Sequence, residues 1–471
     1  MDAAMQIHQR AKDAAAEKTG IRRTLDALTS LRNGFSSSGR KLLQHVLPFW
    51  EQDHVTESGP SEKTLGDLSA ALLSVRGEAS GVAIATDLLA LYEHLDLPSK
   101  QRFFETLATE FDPDHSALTL CWERYRSEGA VALPNLFEAV EAPRQELFRR
   151  LNLAPGGTAA LVGMRADLLS VMGNNASLER VEYDLKHLLQ SWFNRGFLTM
   201  QNIDWSSPAK LLERLIQYES VHDINSWSEL RLRLDPPDRR CFAFFHPALP
   251  DEPLIFVEVG LTVEMPDNVQ QILSAGRAPI AAASAQTATF YSINNCQAGL
   301  KGISFGHFLI KQVAADLKRE LPNLNCFVTL SPIPGLISWM RKNAGSVEEQ
   351  AAIDELTTAR LTGDGDDTQA RSFLLKNAVA YFTTARNKAG KPWDPVARFH
   401  LGNGARLERL NWRADTSANG LRQSGGLMVN YLYDLSRLEE NHEAFFERGE
   451  VVTGVPFRKQ IRATATEAKQ G

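Results

Sequence analysis

The pattern of apolar residues changes near residue 190, and this change constrains the fold more than any other feature. Up to that point apolar residues recur at three- and four-residue spacing, as in ATDLLALYEHL and LERVEYDLKHLLQSWF, which indicates amphipathic helices. Beyond about residue 195, runs of β-branched and aromatic residues bounded by Pro, Gly and Asn indicate strands. We therefore expect an α+β protein with an all-helical domain, residues 1–190, and a mixed domain, residues 191–471.

Five segments of the second domain carry the strand pattern. They are RCFAFFHP (240–247), PLIFVEVGLTV (253–263), TATFYSI (287–293), CFVTLS (326–331) and ARFHLGNGARLERLNW (397–412). An amphipathic helix is predicted from 303 to 321, and the Gly- and Asp-rich LTGDGDDTQ (361–369) indicates a loop. At 471 residues the chain is long enough for two or three hydrophobic cores, which agrees with this division.

The composition argues against several classes of function. A net charge of −6 gives no overall attraction to nucleic acid or to an anionic membrane, and no apolar run approaches the length of a membrane span. The four cysteines have no C-x-x-C spacing, and no histidines show metal-ligand spacing, so neither a disulfide framework nor a metal is expected. The N-terminus has no apolar targeting segment and the C-terminus no Ser-Lys-Leu, so we expect a cytoplasmic protein.

The most informative unit is TATFYSINNCQAGLKGISFGHFLIKQVAADL, in which a strand, a loop with three glycines and an amphipathic helix follow one another. The glycines, at 299, 302 and 306, would let the backbone approach a ligand, and free N–H groups at a helix start attract phosphate. The loop matches neither the Walker pattern nor G-x-G-x-x-G. It is therefore either a phosphate site or a strand-to-helix turn with incidental glycines.

Ser331 stands where an apolar run ends in SPIPG. Two prolines forbid continuation of a strand, so the serine is placed at a strand's carboxyl end, where ligands collect in open α/β sheets. Satisfaction of a local backbone group is the alternative. A nucleophile elbow is excluded because the next residue, Pro332, has no N–H to donate to an oxyanion.

His400 lies in the strand-like ARFHLGNGA, between two apolar residues. A histidine in this setting is either a core residue that is hydrogen-bonded to the backbone or a catalytic group. The local pattern alone does not distinguish the two.

Several separate blocks of the sequence resemble the malonyl-CoA decarboxylase family, in one order from about residue 200 onward. The blocks are YESVHDINSWSELRLRL, FAFFHPALPDEPLIFVEVGLT, TATFYSINNCQAGLKGISFGHFLIKQVAADLKRELPNLNCFVTLSPIPG, DPVARFHLGNGARLERLNW and SGGLMVNYLY. The resemblance implies a helical N-terminal oligomerisation domain. It also implies a C-terminal acetyltransferase-like (GNAT-like) α/β domain with a mixed sheet that binds acyl-CoA.

The resemblance also implies specific site residues and partners. Ser331 and His400 would be catalytic, and the substrate would be malonyl-CoA bound by a homo-oligomer, a tetramer in the family. The substrate-binding residues implied in this way are Ser292, Lys301, Gly302, Ile303, Ser304, Phe305, Gly306, His307, Ser331, His400 and Tyr433.

The chemistry of decarboxylation fits these residue types. Loss of CO2 from a malonyl thioester leaves an enolate on the thioester itself, so no cofactor is expected. A histidine with a pKa near neutrality would deliver a proton to C2, and a serine hydroxyl would orient the carboxylate. Two other functions remain open, an acyl-CoA-dependent acyltransferase and a non-enzymatic acyl-CoA sensor.

Overall fold

The computed structural model describes residues 62–303, 309–357 and 368–467. Residues Leu65–Gly471 form one compact unit. The main hydrophobic core runs without interruption from the helical first part, through residues such as Leu161 and Leu185, to one face of the sheet, at Phe244 and Val257. The two parts of the chain therefore share a core.

The described portion of the first part, from residue 62, is helical, as the apolar spacing predicts, and residues 1–61 lie outside the described residues. Its helices are α1 (Glu62–Ser74), α2 (Glu78–Glu93), α3 (Leu97–Thr109), α4 (His115–Glu128), α5 (Leu133–Val140), α6 (Pro143–Asn152), α7 (Gly157–Val171) and α8 (Ala176–Trp192). Local signals start several of them: the side chains of Asp96, Asp114 and Asn175 accept hydrogen bonds from N–H groups of the first turns of α3, α4 and α8.

The second part contains a mixed sheet of eight described strands. They are β1 (Thr199–Ile203), β2 (Arg239–Phe245), β3 (Ile255–Thr262), β4 (Thr287–Asn295), β5 (Cys326–Thr329), β6 (Ser331–Pro332), β7 (Arg406–Asn411) and β8 (Met428–Leu432). The order in space is β1-β2-β3-β4-β5-β8-β6, and β7 pairs with β8. Only β4 and β5 run parallel among these pairs, and the others are antiparallel.

Helices cover this sheet and connect its strands. They are α9 (Ala209–Tyr218), α10 (Trp227–Leu234), α11 (Gln270–Leu273), α12 (Leu309–Glu320), α13 (Leu336–Asn343), α14 (Val347–Leu356), α15 (Thr368–Thr383), α16 (Pro395–Gly402), α17 (Ala418–Ser424), α18 (Leu438–Arg448) and α19 (Val455–Glu467). The unit β4, loop, α12 and parallel β5 is the strand-loop-helix arrangement expected of an acetyltransferase-like domain. The α+β class is confirmed.

The structure corrects three details of the sequence-based prediction. The first half of 397–412, which holds His400, is helix α16 and not a strand, because Asp394 and Pro395 form a helix start that the apolar run obscured. Ile303, the first residue of the predicted helix 303–321, is not helical, and the helix is described from Leu309 onward; positions 304–308 lie outside the described residues. Strands β1 and β8 were missed. The predicted loop 361–369 lies outside the described residues except for its last two positions, which open α15.

Candidate active site

Ser331 lies where strand β5 gives way to the short strand β6. β5 ends at Thr329, and Pro332 cannot donate a further ladder hydrogen bond. Ser331 pairs with Val429 of β8, which ties the end of the strand to its neighbour. The serine is only 5% exposed. It therefore occupies the position at a strand's carboxyl end that the sequence predicts.

The parallel strands β4 and β5 separate at this position. Their register joins Thr287–Phe290 to Cys326–Thr329 and ends there. The next residues of β4, Ser292–Asn295, pair with β3 on one side but with no described residue of β5 on the other. This edge of β4 is thus free of ladder partners in β5 among the described residues, and Ser331 stands beside the point where the strands part.

His400 reaches Ser331 from helix α16. The carboxylate of Asp394 accepts a hydrogen bond from the N–H of Ala397 (2.8 Å), and Pro395 occupies the first turn, so both fix the start of this short helix. The imidazole, in the last turn, is 3% exposed, and its Nε2 lies 3.1 Å from Ser331 Oγ. The helix thus brings a buried histidine to the serine.

Two tyrosines at and just beyond the end of β8 complete the surroundings of His400. The hydroxyl of Tyr433 lies 2.7 Å from His400 Nδ1. The ring of Tyr431 stacks on the imidazole with the ring centroids 4.6 Å apart. The Tyr431 hydroxyl is buried and meets no hydrogen-bond partner within the part of the chain that the structure describes. Tyr433 was implied by the family resemblance, whereas Tyr431 was missed.

The hydrogen bonds around His400 favour one tautomer. Ser331 Oγ donates to Thr329 Oγ1 (2.8 Å), so the serine proton is already used. With this direction, an N–H at Nε2 donates to Ser331 Oγ and Nδ1 accepts from Tyr433, which satisfies all three contacts. The result is a neutral imidazole whose proton faces Ser331. Thr329 was also missed, although its spacing of two from Ser331 places both side chains on one face of the chain.

Burial lowers the pKa of His400 to about 3, because the charged imidazolium would lose its hydration in this site. The ring is therefore neutral at physiological pH. The sequence-based expectation of a histidine pKa near neutrality is wrong for this environment. Nearby, burial raises the pKa of the Asp394 carboxyl to about 6, which the hydrogen bonds at the start of α16 only partly offset.

The described part of the glycine loop follows strand β4 in the chain. A short 3₁₀ turn, Ala298–Leu300, leads to Lys301 and Gly302, which are exposed, and to Ile303, which is buried. Gly302 has φ +75°, a value that favours glycine. The other loop positions implied by the resemblance lie outside the described residues: Ser304, Phe305, Gly306 and His307.

Ser292 occupies a separate buried network on β4. Its hydroxyl donates to the carboxylate of Glu219 (2.8 Å and 3.0 Å) and accepts from the side-chain amide of Asn294 (2.7 Å). Next to it, burial and the Glu219 charge raise the pKa of Glu258 to about 8, which Arg233 only partly offsets. Ser292 is thus not brought into hydrogen-bonding contact with Ser331 or His400 in this structure.

Neither a metal site nor a membrane span is found in the described residues. They contain no group of three or more His, Cys, Asp or Glu side chains placed to hold an ion. Within the same residues, no helix is both long and apolar enough to cross a bilayer. All four cysteines are free thiols.

Comparison with known proteins identifies the family. The model of the malonyl-CoA decarboxylase C-terminal domain matches residues 196–471, and that of the malonyl-CoA decarboxylase N-terminal domain matches residues 111–193. The mitochondrial malonyl-CoA decarboxylase of Anser anser anser is 31% identical over 89% of this chain and 95% of its own length. The protein of the same name from Rattus norvegicus is 32% identical over 75% of this chain and 80% of its own length.

Two solved structures show the same fold. The malonyl-CoA decarboxylase of Rhodopseudomonas palustris is 52% identical and superposes with a TM-score of 0.81, covering 85% of this chain and 100% of that one. The enzyme of the same name from Agrobacterium vitis is 49% identical with a TM-score of 0.79, covering 84% of this chain and 99% of that one. With both family models matched in sequence order and the Ser331–His400 site formed within the second, this chain belongs to the malonyl-CoA decarboxylase family.

Proposed function

We propose that this chain converts malonyl-CoA to acetyl-CoA and CO2 through a thioester enolate, with Ser331 orienting the substrate and His400 donating the proton. The observation that carries the proposal is the Ser331–His400 hydrogen bond beside the point where β4 and β5 separate. A CoA thioester has a long, narrow pantetheine arm, which can lie along the free edge of β4. The malonyl group then reaches Ser331.

The reaction requires few protein groups. The bond from C2 to the carboxylate breaks, its electron pair moves into the thioester as an enolate, CO2 leaves, and C2 takes up a proton. Because the thioester accepts the electrons, the proposal includes no cofactor and no metal. The hydroxyl of Ser331 would donate to the carboxylate and hold it out of the thioester plane, which aligns the breaking bond with the carbonyl π system.

The neutral state of His400 suits this reaction. A positively charged imidazolium would form an ion pair with the malonyl carboxylate and so retain the charge that must leave as neutral CO2. The neutral ring, with its proton on Nε2, faces Ser331 and would donate that proton to the strongly basic enolate carbon; the anionic ring left behind would be stabilised by the Tyr433 O–H at Nδ1 until solvent restores the proton. Tyr433 would hold the ring through Nδ1 during this transfer.

No acyl-enzyme is part of the proposal. Pro332 removes the N–H that would follow a nucleophilic serine, and decarboxylation needs no covalent intermediate. Intact-protein mass spectrometry during turnover tests this point. A malonyl or acetyl adduct on Ser331 that forms and decays at the catalytic rate would contradict it.

The decisive experiment is incubation with malonyl-CoA alone. A decarboxylase releases acetyl-CoA and CO2 without an acceptor, and in heavy water the acetyl group carries one solvent deuterium. An acyltransferase needs an acceptor amine, and an acyl-CoA sensor leaves malonyl-CoA intact. Unchanged malonyl-CoA would therefore refute the proposal in favour of one of these two functions.

We also propose that the chain assembles with copies of itself through helices α4 and α5. Neither helix has a buried residue, and the segment from 115 to 140 exposes a cluster of large apolar side chains. These are Leu120, Trp122, Val131, Phe137 and Val140. Large apolar side chains exposed on one segment in this way are typical of a protein interface. A tetramer, implied by the family resemblance, is the proposed state, and the free thiols agree with the proposed cytoplasmic location.

A further inference from the structure

A buried arginine of the helical first part is hydrogen-bonded to the glycine loop of the second. Arg165 lies on α7 and is 1% exposed. Its Nη1 donates to the carbonyl oxygen of Gly299 (2.5 Å), and its Nη2 donates to that of Lys301 (2.9 Å). One guanidinium thus holds two peptide groups of the loop, across more than 130 positions of sequence.

A carboxylate on a second helix, α8, holds the Arg165 side chain in this orientation. Glu182 of α8 accepts a hydrogen bond from Arg165 Nη2 at 2.6 Å, and its side chain is 17% exposed. A buried guanidinium is costly unless its charge and its N–H groups are matched. The carboxylate supplies the opposite charge and the two loop carbonyls accept hydrogen bonds from Nη1 and Nη2, whereas the buried Nε–H has no hydrogen-bond partner among the described residues. The planar guanidinium of arginine can bond the carboxylate and both carbonyls at the same time, whereas lysine has a single charged nitrogen.

The loop backbone is also in direct contact with α7. A Cβ added at Gly299 would lie 1.8 Å from the carbonyl oxygen of Val162, so only glycine fits this approach. Leu300 and Ile303, on either side of the exposed Lys301 and Gly302, are buried. The base of the loop is therefore fixed against the helical part by a side chain and by close packing.

This contact determines which way the loop's peptide groups face. All described peptide bonds are trans, so the N–H of Gly302 points away from the carbonyl of Lys301 in the same peptide plane. Because Arg165 holds that carbonyl, the Gly302 N–H is directed away from the helix, and it makes no backbone hydrogen bond within the described residues. A carbonyl oxygen repels a phosphate, whereas a free N–H binds it.

We propose that Arg165 is a positioning residue for acyl-CoA binding. By turning the Gly299 and Lys301 carbonyls towards α7, it leaves the Gly302 N–H and the Lys301 side chain facing the pyrophosphate of CoA. The inference rests on the proposed function, in which this loop binds the CoA phosphates. It gives the helical first part a direct role in substrate affinity, in addition to its proposed role in assembly.

The test compares two substrates, malonyl-CoA and malonyl-pantetheine, which lacks the nucleotide and its phosphates. Arg165→Lys should raise KM for malonyl-CoA about tenfold and leave kcat within about twofold. For malonyl-pantetheine, kcat/KM should stay within about twofold, because no phosphate is bound. Glu182→Gln, at a partly exposed position, leaves Arg165 in place and should raise KM for malonyl-CoA in the same direction by a smaller factor.

Arg144→Lys is the matched control. Arg144 is a buried arginine of the same helical part, paired with Asp112 and Asp184, with no contact to the loop. Its substitution should lower Tm without changing either KM. An unchanged KM for malonyl-CoA in both Arg165→Lys and Glu182→Gln, or an equal loss with both substrates, would overturn the inference. A wild-type protein that leaves malonyl-CoA intact would instead refute the proposed function.

Discussion

Ser331 Oγ lies 3.1 Å from His400 Nε2, although 69 positions of sequence separate the two residues. One side chain comes from the end of a strand and the other from the last turn of a short helix. In the proposed mechanism, this contact joins the hydroxyl that orients the substrate to the buried group that donates the proton.

Removal of either member of the pair should reduce catalysis more than binding. We expect Ser331→Ala and His400→Gln each to lower kcat on the order of 10²-fold, with a smaller change in KM, because both groups act mainly in the transition state. Steady-state kinetics with malonyl-CoA measure the changes in kcat and KM separately. Ser338→Ala and His94→Gln, at exposed positions outside the site, are controls. Wild-type kcat in either Ser331→Ala or His400→Gln would contradict the assigned roles.

Tyr433→Phe should lower kcat about tenfold, because the His400 Nδ1 would lose its hydroxyl partner and the ring its fixed tautomer. Tyr431→Phe is a matched control. It keeps the ring that stacks on His400 and removes a hydroxyl with no hydrogen-bond partner among the described residues. It should leave kcat nearly unchanged. Equal losses in the two variants would show that ring packing, and not the Nδ1 hydrogen bond, governs the histidine.

The imidazole of His400 should stay neutral down to acidic pH in the free enzyme. Burial favours the neutral form and lowers the pKa to about 3, so the ring becomes charged only well below pH 5. Nitrogen chemical shifts of labelled histidine, assigned by comparison with His400→Gln, would measure this among the eleven histidines. A titration midpoint between pH 6 and 7 for His400 would contradict the lowered pKa and restore an imidazolium donor.

Changes in the glycine loop should act on affinity. Gly302→Val places a β-branched side chain at φ +75°, which strains the loop and obstructs its approach to phosphate. Lys301→Ala removes an exposed cation. Both should raise KM for malonyl-CoA several-fold or more with little change in kcat. Gly449→Val introduces similar backbone strain at φ +63°, at the end of α18 and outside the loop, and should leave KM unchanged. An unaltered KM in Gly302→Val would refute the loop assignment.

Charged substitutions on α4 and α5 should reduce the subunit number. Trp122→Glu combined with Phe137→Glu places two carboxylates in the exposed apolar cluster, and burial of unpaired charges opposes association. Size-exclusion chromatography with light scattering measures the mass of the assembly. Val347→Glu, which changes another highly exposed apolar residue, is the control. An unchanged mass in the double variant would exclude this surface as the interface.

Local sequence signals predicted several features of the site correctly. The end of the strand at Ser331 follows from Pro332, and the strand-loop-helix unit follows from a β-rich run, three glycines and a helical period. The helix that carries His400 was wrongly assigned to a strand. Asp394 and Pro395 were visible in the sequence as a cap and first turn, but the alternating apolar residues after them masked the signal.

The sequence by itself determined the α+β class, the position of Ser331 at the end of a strand and the family, because these depend on periodicity, proline and local order. The tertiary structure alone decided three other properties. They are the hydrogen bonds from His400 to Ser331 and Tyr433, the lowered pKa of His400 and the hydrogen bonding of Arg165 to the glycine loop. Each of these properties depends on which distant segments of the chain pack together and exclude water. Local sequence patterns do not contain this information.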